Sequence, residues 1–322
     1  MTDQGRINRE GARPASLFER ADAAFGLGPL NAPKLPPVPP APEPVRRPLV
    51  SALQKQPVTS QTAAPQPKAG PQNEVPQPVA FSGPFAAIDR DDLRISGLIV
   101  PEDPVTRLLE EFRIVKRELL ADARAEDTPL ARRILVCSPH PGEGKTYCAT
   151  NLAIALAAER GLEVLLVDAD VVKPTVARRL GIAVEQGLMD ALADPAIAVE
   201  NLVIRTDIEG LFVLPAGTAN ALDAEYLASA RTGEVLDRLT RGAPNRILIF
   251  DTPPALAASP AAELAAHVGQ ALLVVRADET ARAALEDAQQ LLSACVDIKL
   301  LLNAARYSPS GRRFGTYGAK GK

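Results

Sequence analysis

Short apolar runs, most of them ending on a polar residue or a turn, recur along the chain from residue 134. They are Ile134–Cys137, Glu163–Asp168, Leu211–Leu214, Arg246–Asp251, Gln270–Val275 and Lys299–Asn303. Each is strand-length and apolar on both alternating sets, which predicts strands buried on both faces. Between them lie segments of helical propensity: Tyr147–Glu159, Gly187–Ala193, Ala224–Thr240, Ala261–His267 and Thr280–Ala294. Strands alternating with helices predict an α/β fold, a mostly parallel sheet flanked by helices. In such sheets ligands gather at the carboxyl ends of the strands. Asp168, Asp251 and the turn after Cys137 all fall at such ends. Upstream, Asp103 and Pro104 read as N-cap and first residue of a helix to about Ala123. Its apolar stripe is Val105, Leu108, Leu109, Phe112, Val115 and Leu119. Glu110, Arg113 and Lys116 recur at spacing three on another face, and spacing alone reads that row as solvated.

The turn after the first of these strands is Ser138-Pro-His-Pro-Gly-Glu-Gly-Lys-Thr146. Strand, Gly-rich turn and helix in that order make a GK[ST] sequence a phosphate-binding P-loop. Gly142 and Gly144 let successive N–H groups converge on one anion, and the helix N-terminus adds partial positive charge there. Lys145 is placed to reach the β- and γ-phosphates and the Thr146 hydroxyl to ligate Mg²⁺. Pro141, Gly142, Glu143, Gly144, Lys145, Thr146 and Tyr147 are therefore the expected nucleotide-binding set. Pro139 stands where the generic pattern has glycine.

Ile247-Leu-Ile-Phe-Asp251 is an apolar strand ending in a carboxylate, the form of a Walker-B site that holds Mg²⁺ through its waters. Asp168 and Asp170 end the strand after the P-loop helix. Two carboxylates beside a metal–phosphate centre divide labour, one towards the ion and one taking a proton from the attacking hydroxyl. His140 reads equally as a loop residue or a phosphate neighbour, and His267 as structural.

Composition narrows the picture. Sixteen of thirty prolines among the 322 residues fall between Pro29 and Pro84. Such a stretch buries too little apolar surface to offset its ordering entropy. The expected division is a Pro-rich disordered region over 1–94, a P-loop domain over 95–306 and a flexible basic tail over 307–322. Residues 14–25 hold a short amphipathic pattern, read as a frayed helix in preference to a docking peptide. The net charge of −3 gives no nucleic-acid footprint. Cys137, Cys148 and Cys295 lack metal spacing and suit a reduced cytosolic compartment. Met1–Glu10 is polar, which predicts no signal peptide. No apolar run approaches the ~18 residues of a membrane span.

Together these motifs resemble the bacterial tyrosine autokinases (BY-kinases), P-loop enzymes related to the MinD/ParA ATPases. Ser138–Thr146 is similar to the family's Walker A, Val167-Asp-Ala-Asp170 to its Walker A′ and Ile249-Phe-Asp-Thr-Pro-Pro254 to its Walker B. Lys145 takes the place of the phosphate lysine, while His140 occupies the position of the MinD signature lysine. Leu214-Pro-Ala-Gly217 with Glu225 and Ser229 resembles the stretch before Walker B. Glu110, Arg113 and Lys116 match the family's E-x-x-R-x-x-R, with Lys for the last Arg. That match makes the row an expected oligomer interface instead of a solvated face.

The chain is most similar to the subgroup found with exosortase (PEP-CTERM) exopolysaccharide loci. The resemblance implies an ATP- and Mg²⁺-dependent tyrosine autokinase regulating exopolysaccharide synthesis or export. It implies Mg²⁺ at Thr146, Asp170 and Asp251, with Asp168 as base and Lys145 on the phosphates. Asn303 is the expected neighbour of the adenine edge, and Tyr317, then Tyr307, the phosphate acceptors. Implied partners are other copies in a ring, a membrane chain-length regulator of the Wzz type and a cognate tyrosine phosphatase. Its place would be cytoplasmic, at the inner membrane through a partner. Two departures stand out: Val172 replaces the Walker A′ arginine, leaving Lys173 nearby, and the tail keeps two tyrosines. A MinD/ParA-like ATPase switch without kinase activity is the alternative.

Overall fold

One eight-stranded sheet carries the computed structural model, which describes residues 77–305. Its strands are β1 (Phe85–Ala86), β2 (Arg133–Cys137), β3 (Glu163–Asp168), β4 (Ile204–Thr206), β5 (Leu211–Leu214), β6 (Arg246–Asp251), β7 (Gln270–Arg276) and β8 (Asp297–Asn303). Their order is β1-β4-β5-β3-β6-β2-β7-β8, and every neighbouring pair is parallel except β4 with β5. The six strands expected from the apolar runs are all present, within two residues at each end.

Neighbouring residues of each central strand face opposite layers. Ile134, Val136, Val164 and Leu166 pack under α2 (Arg107–Glu126) and α3 (Lys145–Ala157). Leu135, Cys137, Leu165, Val167 and Phe250 pack against the other layer. That layer includes α5 (Leu188–Ala193), α7 (Ala230–Thr240), α8 (Pro260–Ala265) and α9 (Arg282–Leu291). Burial on both faces is what the uninterrupted apolar runs encode, each large side chain stabilising by about 1.5–3 kcal/mol.

The topology brings three strand ends together. β6 lies between β3 and β2, with Asp251 in register with both Val136 and Asp168. The P-loop, Asp251 and Asp168 therefore open onto one edge, although they are far apart in sequence.

Three expectations are corrected. The ordered fold starts before residue 95: β1 joins the sheet, α1 (Arg90–Ile95) follows, and Ile88 and Leu93 enter the core. Helix α2 begins at Thr106, whose hydroxyl accepts the Leu109 N–H at 3.1 Å, and not at Asp103. Asp103 instead meets Arg94 at 2.7 Å, and Val105 stays exposed. The helix expected over 224–240 breaks into α6 (Asp223–Leu227) and α7. The Ser229 and Thr232 hydroxyls both donate to the Tyr226 carbonyl at that break. Such local side-chain bonds compete with helix continuation. Finally, the short strands β1 and β4 and the helix α4 (Val176–Arg179) have too few residues for any periodicity to register.

Candidate active site

The P-loop owes its shape to two glycines and a buried glutamate. Gly142 and Gly144 have φ of +87° and +97°, a region that side-chain-bearing residues rarely occupy. Gly144 is the N-cap of α3, so the loop amides and the helix N-terminus converge. Glu143 is buried within the loop. One of its carboxylate oxygens accepts the His140 N–H at 2.8 Å and the other the Thr280 hydroxyl. The Ser138 hydroxyl donates to the His140 carbonyl at 2.8 Å, so the loop is braced before any anion arrives. Glu143 thus holds the loop and does not itself face phosphate. Asn303 has a similar part: its amide nitrogen donates to the Glu143 carbonyl at 2.8 Å, directly behind Gly144. The residue expected at the adenine edge therefore touches the P-loop itself.

The carboxylates surround Lys145. Its Nζ lies 2.5 Å from Asp170 Oδ2, 3.8 Å from Asp251 Oδ1 and 3.4 Å from the Thr146 hydroxyl. Asp251 is fully buried, and neither of its oxygens has a hydrogen-bond donor among the described residues. Burial pushes its carboxyl up to about 7, against the pull of Lys145 and Thr146. A buried carboxylate without donors is costly. Set beside a hydroxyl and a second carboxylate, it supplies the hard oxygen donors that Mg²⁺ takes. These residues fit that ion held jointly by protein, water and phosphate. Asp170 is oriented by the Lys173 N–H at 3.0 Å. Asp168 Oδ2 accepts the Thr175 and Val176 N–H groups at 3.0 Å, whereas Oδ1 accepts the Asp170 N–H at 3.2 Å. Burial pushes its carboxyl up to about 6, partly opposed by those N–H groups.

An open cleft of about 410 Å³ lies over this cluster. Pro141, Gly142, Lys145, Thr146 and Tyr147 form one side and Asp170, Lys173, Pro253 and Pro254 another. The family profile described as an AAA domain matches residues 131–305, from just before β2 to the end of β8. The chain belongs to the AAA domain family.

Relatives of this AAA domain are bacterial tyrosine-protein kinases. EpsB of Ralstonia solanacearum is 32% identical over 225 residues, which are 68% of this chain and 28% of EpsB. The tyrosine-protein kinase YwqD of Bacillus subtilis is 29% identical over 225 residues, 69% of this chain and 92% of YwqD. Among solved structures, the BceF tyrosine kinase domain superposes with a TM-score of 0.56 at 25% identity. That match covers 70% of this chain and 93% of the BceF domain. The chain thus spans under a third of EpsB.

The fold separates the expected interface residues, which lie upstream of the AAA match. Glu110 and Arg113 pair with each other on α2 and are each about one-third exposed. Lys116 is buried: its Nζ donates to the Ala155 carbonyl at 2.8 Å and meets Glu159 at 2.7 Å. It serves the end of α3, so it drops out of the expected interface row. Tyr307 and Tyr317 lie outside the described residues, as do residues 1–76 with their amphipathic pattern and half of the prolines. His267 is half-buried behind β2, consistent with a structural role, and burial lowers its pKa. Sequence reading missed Thr280, which carries no motif, and the adjacent Arg178 and Arg179, which line the cleft. A charged pair shortly after a DxD was the available signal. No helix among the described residues is long and apolar enough to cross a membrane.

Proposed function

We propose that the chain is an ATP-dependent protein tyrosine autokinase that regulates exopolysaccharide synthesis or export. The observation that supports this most is Asp251, a buried carboxylate without donors, set beside Lys145 and Thr146 at the mouth of a P-loop. Lys145 and the loop amides hold the β- and γ-phosphates, and Thr146, Asp170 and Asp251 hold Mg²⁺. Mg²⁺ held there would supply positive charge against the phosphates.

Asp168 is the base. Two N–H groups occupy its Oδ2, which fixes the carboxylate, and Oδ1 keeps a lone pair free. A carboxyl near pKa 6 suits proton transfer around neutral pH. In the transfer, the bond from the γ-phosphorus to the ADP oxygen breaks and a bond to the tyrosine oxygen forms. The hydroxyl proton passes to Asp168 Oδ1. Tyr317 is the first acceptor and Tyr307 the second, each presented by one copy to the next in a ring contacted through Glu110 and Arg113. A membrane chain-length regulator of the Wzz type would place the ring at the cytoplasmic face of the inner membrane, with a tyrosine phosphatase resetting it. The YwqD and BceF relationships support the kinase reading.

Incubation with labelled ATP followed by phosphotyrosine mapping tests it. Phosphate is expected on Tyr317, less on Tyr307, and on neither in Asp168→Asn. One observation favours a second reading, the three N–H groups that Asp168 already accepts. ATP hydrolysed with no tyrosine phosphate would make the domain an ATPase switch instead.

A further inference from the structure

A second cleft of about 640 Å³ adjoins the first. Its walls include Pro174, Ala177, Ile182, Val184 and Pro215, and its polar residues include Asp168 and Arg178. Apart from Arg178 the two clefts have no lining residue in common: Lys145 and Asp170 line the first, Asp168 the second. A phosphoryl group leaving the P-loop for an acceptor over Asp168 therefore passes Arg178.

Resting on the kinase reading above, we propose that Arg178 is the catalytic cation that meets the transferred phosphoryl group. The walls of the second cleft suit an aromatic acceptor side chain, whose oxygen would lie between Asp168 and Arg178. The existing charges explain why a further cation is needed. Phosphoryl transfer spreads negative charge over the three equatorial oxygens. Lys145 is already shared between Asp170 and Asp251, and Lys173 lines the first cleft but not the second. Position 172, on the same loop as Asp170, carries an uncharged valine that is 70% exposed. Arg178, by contrast, is exposed and makes no ion pair or side-chain hydrogen bond among the described residues. A guanidinium also matches phosphate with a planar fork that an ammonium lacks. Next to it Arg179 lines the first cleft, with a buried Nε that has no acceptor, and supports the phosphates from the same helix α4.

The test uses the full chain with magnesium and compares binding of ADP alone with binding of ADP plus aluminium fluoride, a mimic of the phosphoryl in flight. Wild type should bind the mimic complex far more tightly than ADP. Arg178→Ala should lose on the order of 100-fold of that gain, as removal of one transition-state donor does elsewhere. Its ADP affinity should stay unchanged, which also reports that the variant is folded. Arg178→Lys should recover part of the gain. The assignment is overturned if Arg178→Ala binds the mimic as wild type does, if it loses ADP affinity equally, or if wild type shows no gain. Phosphotyrosine is read in parallel on wild type. Its absence, with the Arg178-dependent gain intact, sinks the kinase reading and leaves Arg178 as the cation of ATP hydrolysis.

Discussion

Neither carboxylate oxygen of the buried Asp251 has a hydrogen-bond partner among the described residues. Its carboxyl sits at about 7 in the folded chain, against ~3.9 for an unfolded aspartate. Between those values the folded state binds a proton that the unfolded state has released. Stability therefore falls as pH rises through that window. Asp168, pushed up to about 6, acts in the same direction over a narrower range. Asp251→Asn should flatten this slope and raise the nucleotide-free melting temperature near neutral pH by about 2 °C or more. Stabilisation by ATP with Mg²⁺ should vanish in the same variant. Melting curves across pH check both, and an unaltered slope would show that another group titrates. Lys145→Met should also lose ATP binding, by calorimetry, but should melt lower, because two buried carboxylates lose their cation.

At the scale of elements, α2 carries one packing role and one proposed interface. Its Lys116 reaches across to the last turn of α3 and satisfies the Ala155 carbonyl, one of the orphan acceptors at a helix end. Lys116→Ala should destabilise the domain by about 1–3 kcal/mol, read from urea unfolding. The same change should leave the proposed ring unaltered at temperatures where the domain is folded. The opposite pattern is expected for Glu110→Lys, which turns an ion-pairing residue into a like charge. It should dissociate the oligomer in sedimentation and keep ATP binding. If sedimentation gives one species for both proteins, the Glu110 face is solvated surface.

The whole molecule depends on a segment that composition assigns to the linker. Phe81 packs edge-on to Phe212 with centroids 4.9 Å apart, and the Arg246 guanidinium lies 4.0 Å over the Phe81 ring. Arg246 also donates to the Val79 carbonyl at 2.9 Å. Further along, Leu93 is fully buried. A chain beginning at residue 95 should therefore melt several degrees below one beginning at residue 77, since losing one buried leucine alone costs about 2–5 kcal/mol. Equal melting temperatures would mean that residues 77–94 add nothing.

The strands and the P-loop were legible in the chain because their signals are local. A strand buried on both faces must be apolar at every position, and a phosphate cradle needs its glycines, lysine and hydroxyl within a few residues. The carboxylates could be read as strand ends for the same reason. What remained hidden depends on partners distant in sequence. Lys116 sits in a row of charges, yet its partner Ala155 is 39 residues away, so only packing of α2 on α3 shows it to be buried. Asn303 and Thr280 brace Glu143 from 160 and 137 residues away. Arg178 gains its place only because α4 falls between two clefts. β1 and β4 are two and three residues long, too short to show a period, and exist because the sheet edge offers them a neighbour. Period and motif act within one element, whereas burial and charge pairing are properties of elements brought together, and those only the folded chain decides.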